Sequence, residues 1–337
     1  VAEAQDIPCV GVCLPDEDEM YCIGCGRPWG TPPPPRVDYR VIERGWLSSN
    51  NILLFDGGEA TLIDSGYVGH VAQTVELVKS ALAGRQLKRV INTHSHSDHI
   101  GGNAALQRTF GCEILIPAGI EEHIANWDEQ ALLLAPAAQR GDRFRHDGAV
   151  RPDDTLRMGG ADWRALAAPG HDMDALVFHC AEARILISGD ALWEDGFGIV
   201  FGELLGQPGA LQATRATLDM ISRLAVDTVI PGHGKPFGDV RAALERAYKR
   251  IAAFEADPVR MARNAVKACF IFNLLDRQSL PRRELERYLE SVPLFRDIGT
   301  RLLGMDIPEL AAWLVSELKR GCALEERDGL LLPTMAA

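Results

Sequence analysis

The chain has 337 residues, 47% of them apolar and 24% charged, with a formal net charge of −12. Those values describe an ordinary globular protein with room for about two domains, and the acid excess argues against a broad nucleic-acid or anionic-membrane footprint. No run of about 18 apolar residues occurs, so no membrane span is expected; "VAEAQDIPC" at the start lacks the basic and apolar regions of a secretory signal, and the expected location is cytoplasmic.

Four of the eight cysteines fall in the first 25 residues: Cys9, Cys13, Cys22 and Cys25. Without an export signal, so tight a quartet reads as a metal site before it reads as two disulfides. The spacing, C-x3-C and then C-x2-C after eight residues, can close a knuckle around one centre. Four thiolates suit tetrahedral Zn²⁺ or an iron–sulfur cluster. Residues 1–30 have almost no core of their own, so a metal would supply the folding energy; the plain alternative is a free-thiol tail. The pattern P-C-x-G-x-C … C-x-G-C-x-R also resembles a small family of bacterial domains regarded as iron–sulfur modules. "TPPPPR" (31–36) follows as a stiff spacer. Cys112, Cys180, Cys269 and Cys322 are isolated and read as small buried apolar residues.

Residues 37–240 alternate short β-rich runs with helical stretches. "NNILLF" (50–55) and "EATLID" (59–64) are strands separated by the turn Asp56-Gly57-Gly58. Residues 68–84 have helical periodicity and end at Gly84. "LKRVIN" leads as a strand into "NTHSHSDHIGG" (92–102). Strands are expected at 155–158, 162–168, 174–180 and 183–188, then a helix over 209–224 and the strand "DTVIPGHG". Hairpins mixed with crossover helices predict an α/β fold, sheets with helices packed outside. Residues 241–337 turn helical, opened by the amphipathic stretch 239–256. Further helices are expected over 258–275, 281–291 and 307–320, with a closing hairpin at Asp328-Gly329. Helices closed by a β-wing resemble a winged-helix domain, read here as a packing module at least as readily as a DNA reader.

The segment 92–102 packs His94, His96, Asp98 and His99 into six positions. Such groups avoid burial unless paired or metal-bound; a polar turn is the plain alternative. Three more candidates each follow an apolar strand: His171 in "LAAPGHD", Asp190 in "RILISGDALW" and His233 in "DTVIPGHG". Loops leaving strand ends suit ligands that must converge.

Together H-x-H-x-D-H-x-G-G, P-G-H, S-G-D and P-G-H-G resemble, in order, the motifs of the metallo-β-lactamase superfamily over about residues 40–240. The resemblance implies an αββα sandwich with the site along one edge. It implies two metals, the first on His94, His96 and His171, the second on Asp98, His99 and His233, with Asp190 bridging. Imidazoles and carboxylates suit Zn²⁺ and also Fe or Mn. Asp64 in "LIDSG" matches a position the family keeps near the metals. Its own chemistry is that of a carboxylate orienting a ligand imidazole through the other N–H, or of a turn cap before Gly66.

No Ser or Cys nucleophile with a base partner is recognisable, so a metal-bridging hydroxide is expected to attack a carbonyl, with Asp98 orienting or reprotonating. The ligand set fixes the reaction type, not the substrate. The stretch 116–148, with Trp127 and Phe144, and the stretch 192–206, with Trp193, Phe197 and Phe201, are apolar. They suit a small acyl, lactone or thioester substrate, with Trp127, Trp193 and Phe197 as candidate contacts, or alternatively lid packing or a homodimer contact. Glyoxalase II-type hydrolases share the motifs, although their glutathione-gripping basic residues have no clear counterpart here. The added motifs of RNA-cleaving relatives are not seen, which with the acid balance disfavours a nuclease. Two other readings compete: a single-iron oxidoreductase of the persulfide dioxygenase kind, and a binding or regulatory protein.

Overall fold

The computed structural model of the chain describes residues 11–12, 21–22 and 36–335, and it divides into two units, 1–36 and 37–337. In the first, β1 (Gly11–Val12) pairs antiparallel with β2 (Tyr21–Cys22). Cys9, Cys13 and Cys25, and with them the expected cysteine knuckle, lie outside the described residues.

The second unit is built on two facing sheets. One has the spatial order β3 (Tyr39–Ile42), β4 (Asn51–Asp56), β5 (Glu59–Ile63), β6 (Gln86–Ile91), β7 (Glu113–Pro117), β8 (Gly148–Val150). The other contains β9 (Thr155–Met158), β10 (Ala161–Ala167), β11 (Leu176–Cys180), β12 (Ile185–Gly189) and β13 (Thr228–Pro231), in the order β13-β12-β11-β10-β9. Side chains alternate faces along a strand, and the burial follows. Ile52 and Leu54 of β4 meet Phe178 of β11 and Ile187 of β12 between the sheets, around the fully buried Trp163. Leu53 and Leu62 point the other way, to α1 (Val71–Leu82) and α3 (Asn103–Phe110). α1 buries Thr74, Val78, Ala81 and Leu82, a single helical stripe. The expected α/β sandwich with helices outside is what forms.

The ladder directions set where the site can be. β5 and β6 run parallel, as do β12 and β13, so each pair ends at the same edge. Asn50 N–H donates to the Gly232 carbonyl at 2.7 Å and Leu176 N–H to the Thr93 carbonyl at 2.8 Å, tying the two sheets together there. Two short helices, α2 (Ser97–Ile100) and α4 (Glu121–Asn126), and then α5 (Leu134–Ala137), interrupt the loops on the first sheet's side.

After β12 come α6 (Phe201–Leu204), α7 (Ala210–Ser222), α8 (Val240–Ala256) and α9 (Pro258–Arg277). α9 begins at Pro258 behind the Asp257 side-chain cap and is buried on most sides. It is followed by α10 (Leu285–Ser291), α11 (Pro293–Arg301) and α12 (Ile307–Arg320). A three-stranded sheet, β14 (Leu280–Pro281), β15 (Leu324–Arg327) and β16 (Leu330–Pro333), closes the C-terminal region in the order β14-β16-β15. The core runs without a break from Leu186 and Val229 through Leu218 and Ile251 to Phe270, Phe295 and Leu314. No break marks residue 240. Cys112, Cys180 and Cys269 are buried as expected, but Cys322 is exposed. It sits at positive φ in the turn after α12, with its N–H donating to the Lys319 carbonyl.

Candidate metal centre

Every motif residue leaves a strand at the shared edge. Asp64 follows β5, His94 to His99 follow β6, His171 follows β10, Asp190 follows β12 and His233 follows β13. Gly232 is required by the approach: a Cβ there would strike Asp190 Oδ1 and lie 2.9 Å from the His99 ring. Gly198 is similar, since a Cβ there would overlap the His171 ring.

The donor atoms fall into three overlapping clusters: His94, His96 and His171; His94, His99 and Asp190; and Asp98, His99 and His233. His96 Nδ1 lies 2.7 Å from His171 Nε2. Asp190 spans the groups, with Oδ2 3.4 Å from His171 Nε2 and Oδ1 3.4 Å from His99 Nε2. Asp98 Oδ2 is 3.0 Å from His233 Nε2.

The hydrogen bonds behind these rings decide which nitrogens carry lone pairs. Asp64 Oδ2 accepts from His99 Nδ1 at 2.8 Å and from the Thr93 hydroxyl at 2.8 Å, while Asp64 Oδ1 accepts from Thr93 N at 2.8 Å. With its proton given to Asp64, the Thr93 oxygen accepts from His94 Nδ1 at 3.0 Å. The Ile199 carbonyl accepts from His171 Nδ1 at 2.6 Å. So His94, His99 and His171 each carry a proton on Nδ1 and turn an Nε2 inward. His94 Nε2 and His99 Nε2 are buried with no hydrogen-bond partner, as is His233 Nδ1. Buried orphan nitrogens are costly, and lone pairs converging with carboxylates are the donor set of a divalent cation. The residues fit such an ion.

The charges agree. Burial, then the neighbouring imidazoles, holds His94 well below the ordinary histidine value. Burial likewise takes His96 down to about 4, with His171 adding to it. His99 moves the other way: against its burial, Asp64, Asp190 and Asp98 raise it well above the ordinary value. Asp190 is held well below the usual carboxylate range by His99 and His233, against its own burial. Asp98 is also lowered, by His99 and His233, again against burial.

Over the cage lies a cleft walled by Trp46, Trp193, Ile199, Phe201, Cys269 and Phe272, with Gln139 on the α5 side. Trp193 lines this cleft: its Nε1 donates to Asp190 Oδ1 at 3.1 Å and its ring lies 5.4 Å from that of His233. Trp127 and Phe197 do not line the cleft. Trp127 packs edge-on against Phe144, and Phe197 is fully buried against Phe254. Of the three residues expected as contacts, Trp193 is the one that lines the cleft, because an apolar loop says that its aromatics are covered but not by what. Trp46, Cys269 and Phe272 had no signal in sequence as cleft residues; α9 periodicity marks Cys269 and Phe272 only as buried. Thr93 was adjacent to the motif, and its neighbourhood was the signal available. Ser95 and Asp172 also support the cage, with Asp172 Oδ2 accepting from the Ser95 hydroxyl at 2.7 Å.

A strand-edge cage of this kind on a two-sheet sandwich defines a metal-dependent hydrolase. Residues 44–233, more than half of the chain, match the family model of the metallo-beta-lactamase superfamily, and the chain belongs to that superfamily. Its buried His/Asp cluster forms a dinuclear metal site. A hydroxyacylglutathione hydrolase of Polaromonas sp. is 29% identical over 269 residues, 75% of this chain and 91% of that protein. One from Hyphomonas neptunium is 30% identical over 115 residues, so the match spans 38% of that protein. Among solved structures, a metallo-beta-lactamase family protein of Thermus thermophilus shares the fold, with a TM-score of 0.54 and 19% identity over 88% of this chain and 98% of that one. Among the described residues, no helix is long and apolar enough to cross a membrane.

Proposed function

We propose that the protein hydrolyses thioesters of small acyl groups. The observation that carries this reading is the similarity over three-quarters of the chain to a hydroxyacylglutathione hydrolase. His94, His96 and His171 would hold one divalent ion, Asp98, His99 and His233 a second, and Asp190 would bridge them, Zn²⁺ being the expected metal and Fe or Mn the alternatives. Held there, two such ions would supply a hydroxide at neutral pH and polarise the acyl carbonyl.

The chain's own residues do the rest. Asp64 keeps a proton on His99 Nδ1, so that Nε2 stays available. Trp46, Trp193 and Phe272 exclude bulk water from the acyl group. Asp98 faces the same cleft. A thiolate, whose conjugate acid has a pKa of about 8.5, leaves without a proton more readily than an alkoxide. α9 brings Cys269 and Phe272 to the cleft, so we read residues 241–337 as a module that walls the site. A second donor cluster favours two-ion hydrolysis over the single-iron oxidoreductase reading. We keep Cys9, Cys13, Cys22 and Cys25 as a Zn or iron–sulfur knuckle on their spacing alone.

The test is a substrate panel on zinc-loaded protein: acyl thioesters, lactones and a phosphodiester, with oxygen consumption on a persulfide in parallel. The expected result is a kcat/KM for thioesters at least about tenfold above the lactones, equivalent to about 1.4 kcal/mol of transition-state stabilisation. Turnover of lactones or phosphodiesters without thioesters refutes the reading.

A further inference from the structure

Beside the metal cleft, α8 and α9 enclose a groove of about 630 Å³ lined by Lys249, Arg250, Arg260, Arg263 and Lys267, with Asp257 the acid among them. Neighbouring arginines are paired: Arg215 with Glu255 at 2.6 Å and Arg246 with Asp195 at 3.2 Å. The five groove cations, by contrast, have no ion-pair partner among the described residues. Arg250 lies over the rings of Phe197 and Phe254, at 5.1 and 5.4 Å, and Arg263 over Trp313 at 5.9 Å. Asp257 is already engaged, capping α9 by accepting from Arg260 N at 3.0 Å. In a chain of net charge −12, gathering five unpaired cations in one groove is self-repulsive, and a local rule broken this way marks a site meant for an anion.

The groove and the cleft share α9. Ala268, Cys269 and Phe272 wall the cleft, while Arg260, Asn264 and Lys267 wall the groove. Asn264 and Ala268 are one turn apart on one face, and Arg260 stands about 12 Å along the axis from Ala268, at about 1.5 Å per residue. The space over the cage, about 60 Å³, is much smaller than that of the groove, about 630 Å³.

Resting on the thioester reading, we infer that the α8–α9 groove is a phosphate-binding subsite holding the phosphorylated end of the substrate's thiol carrier. Three guanidinium forks and two ammonium groups match more than one dianionic phosphate. The carrier's neutral arm then spans the remaining distance to the cage.

The probe is adenosine 3′,5′-bisphosphate, which has phosphates and no acyl group, titrated calorimetrically into the metal-loaded full chain. Binding at one site per chain is expected, weakening as salt rises. The pair Arg260→Glu/Lys267→Glu should weaken it at least tenfold with metal content and melting temperature unchanged, and Arg263→Gln should weaken it less. The control pair Arg283→Glu/Arg287→Glu should leave it unchanged. The probe should also compete with a phosphorylated acyl thioester in hydrolysis. Absence of binding at low salt, binding indifferent to the groove substitutions, or purely non-competitive inhibition would overturn the inference. If no thioester is hydrolysed yet the probe binds and the groove pair abolishes it, the substrate reading fails and the phosphate site stands.

Discussion

Replacing Asp64 by Asn isolates the carboxylate's role. Asp64 has φ 57°, a left-handed conformation that Asn tolerates as well as Asp, so the backbone has no reason to move. The charge and the acceptor pattern do change. One Asn arrangement turns an NH₂ toward His99 Nδ1, which forces that ring to accept there and to point an N–H into the cage. The other turns the NH₂ toward Thr93 N, which at present donates to Asp64 Oδ1 from 2.8 Å. Either way a buried, charge-assisted bond worth about 1.5–3 kcal/mol is lost. Loss of such a supporting carboxylate costs about 10–100-fold in metal affinity, or about 1.4–2.7 kcal/mol. The loss should fall on the ion held by His99, while the His94–His96–His171 cluster, oriented by Thr93 and the Ile199 carbonyl, keeps more of its affinity. Competitive chelator titration with metal analysis reads the two affinities. If Asp64→Asn binds both ions as tightly as the parent protein, the tautomer argument is wrong.

Acid should remove the two ions in order. His94 and His96 lie below the ordinary histidine value, His96 at about 4, so protons do not contest them near neutrality; His99 lies well above it, so an ion there must displace a proton. As pH falls from neutral, the ion of the Asp98–His99–His233 cluster should leave first, seen by stepwise metal analysis; simultaneous loss contradicts this. In the metal-free protein the sign reverses: protonated His99 stabilises the fold fully below about 6.5, its unfolded value, and that contribution is lost as pH rises through the raised folded value. Gly232→Ala drives a methyl into Asp190 and His99, and a displacement of about 1 Å should lower kcat/KM about 100-fold in protein whose circular dichroism is unchanged; near-normal activity would show that the approach is not tight. Trp163→Ala empties the centre of the sandwich and removes the hydrogen bond from Trp163 Nε1 to the Met158 carbonyl at 3.0 Å. It should cost about 3–5 kcal/mol in urea unfolding, and a loss below about 1 kcal/mol would place the core elsewhere.

Much of this was legible in the chain before any coordinates. The helix expected over 307–320 is α12, bounded by its Asp306–Glu309 capping box, and the hairpin expected at Asp328-Gly329 is the turn between β15 and β16. Cap and turn residues report on their own backbone, so a local reading suffices. The ligand candidates were legible for a related reason: histidines and aspartates clustered at strand ends, next to glycines, are groups that avoid burial unless paired or metal-bound. Asp64 was legible as a carboxylate near the metals, and its partner, His99 Nδ1, was not.

The sequence alone determined the order of the elements and the polarity of their faces, because each of these depends on residues within a few positions of one another; the candidate ligands, spread from His94 to His233, came together only through the resemblance of four motifs in order. Tertiary structure alone decided the walls of the site. Trp46 and Phe272 meet over one cage from opposite ends of the chain, while Trp127, within the expected lid, turns to Phe144. Local periodicity identifies which side of a helix or loop is covered; only the packing of distant elements determines what covers it.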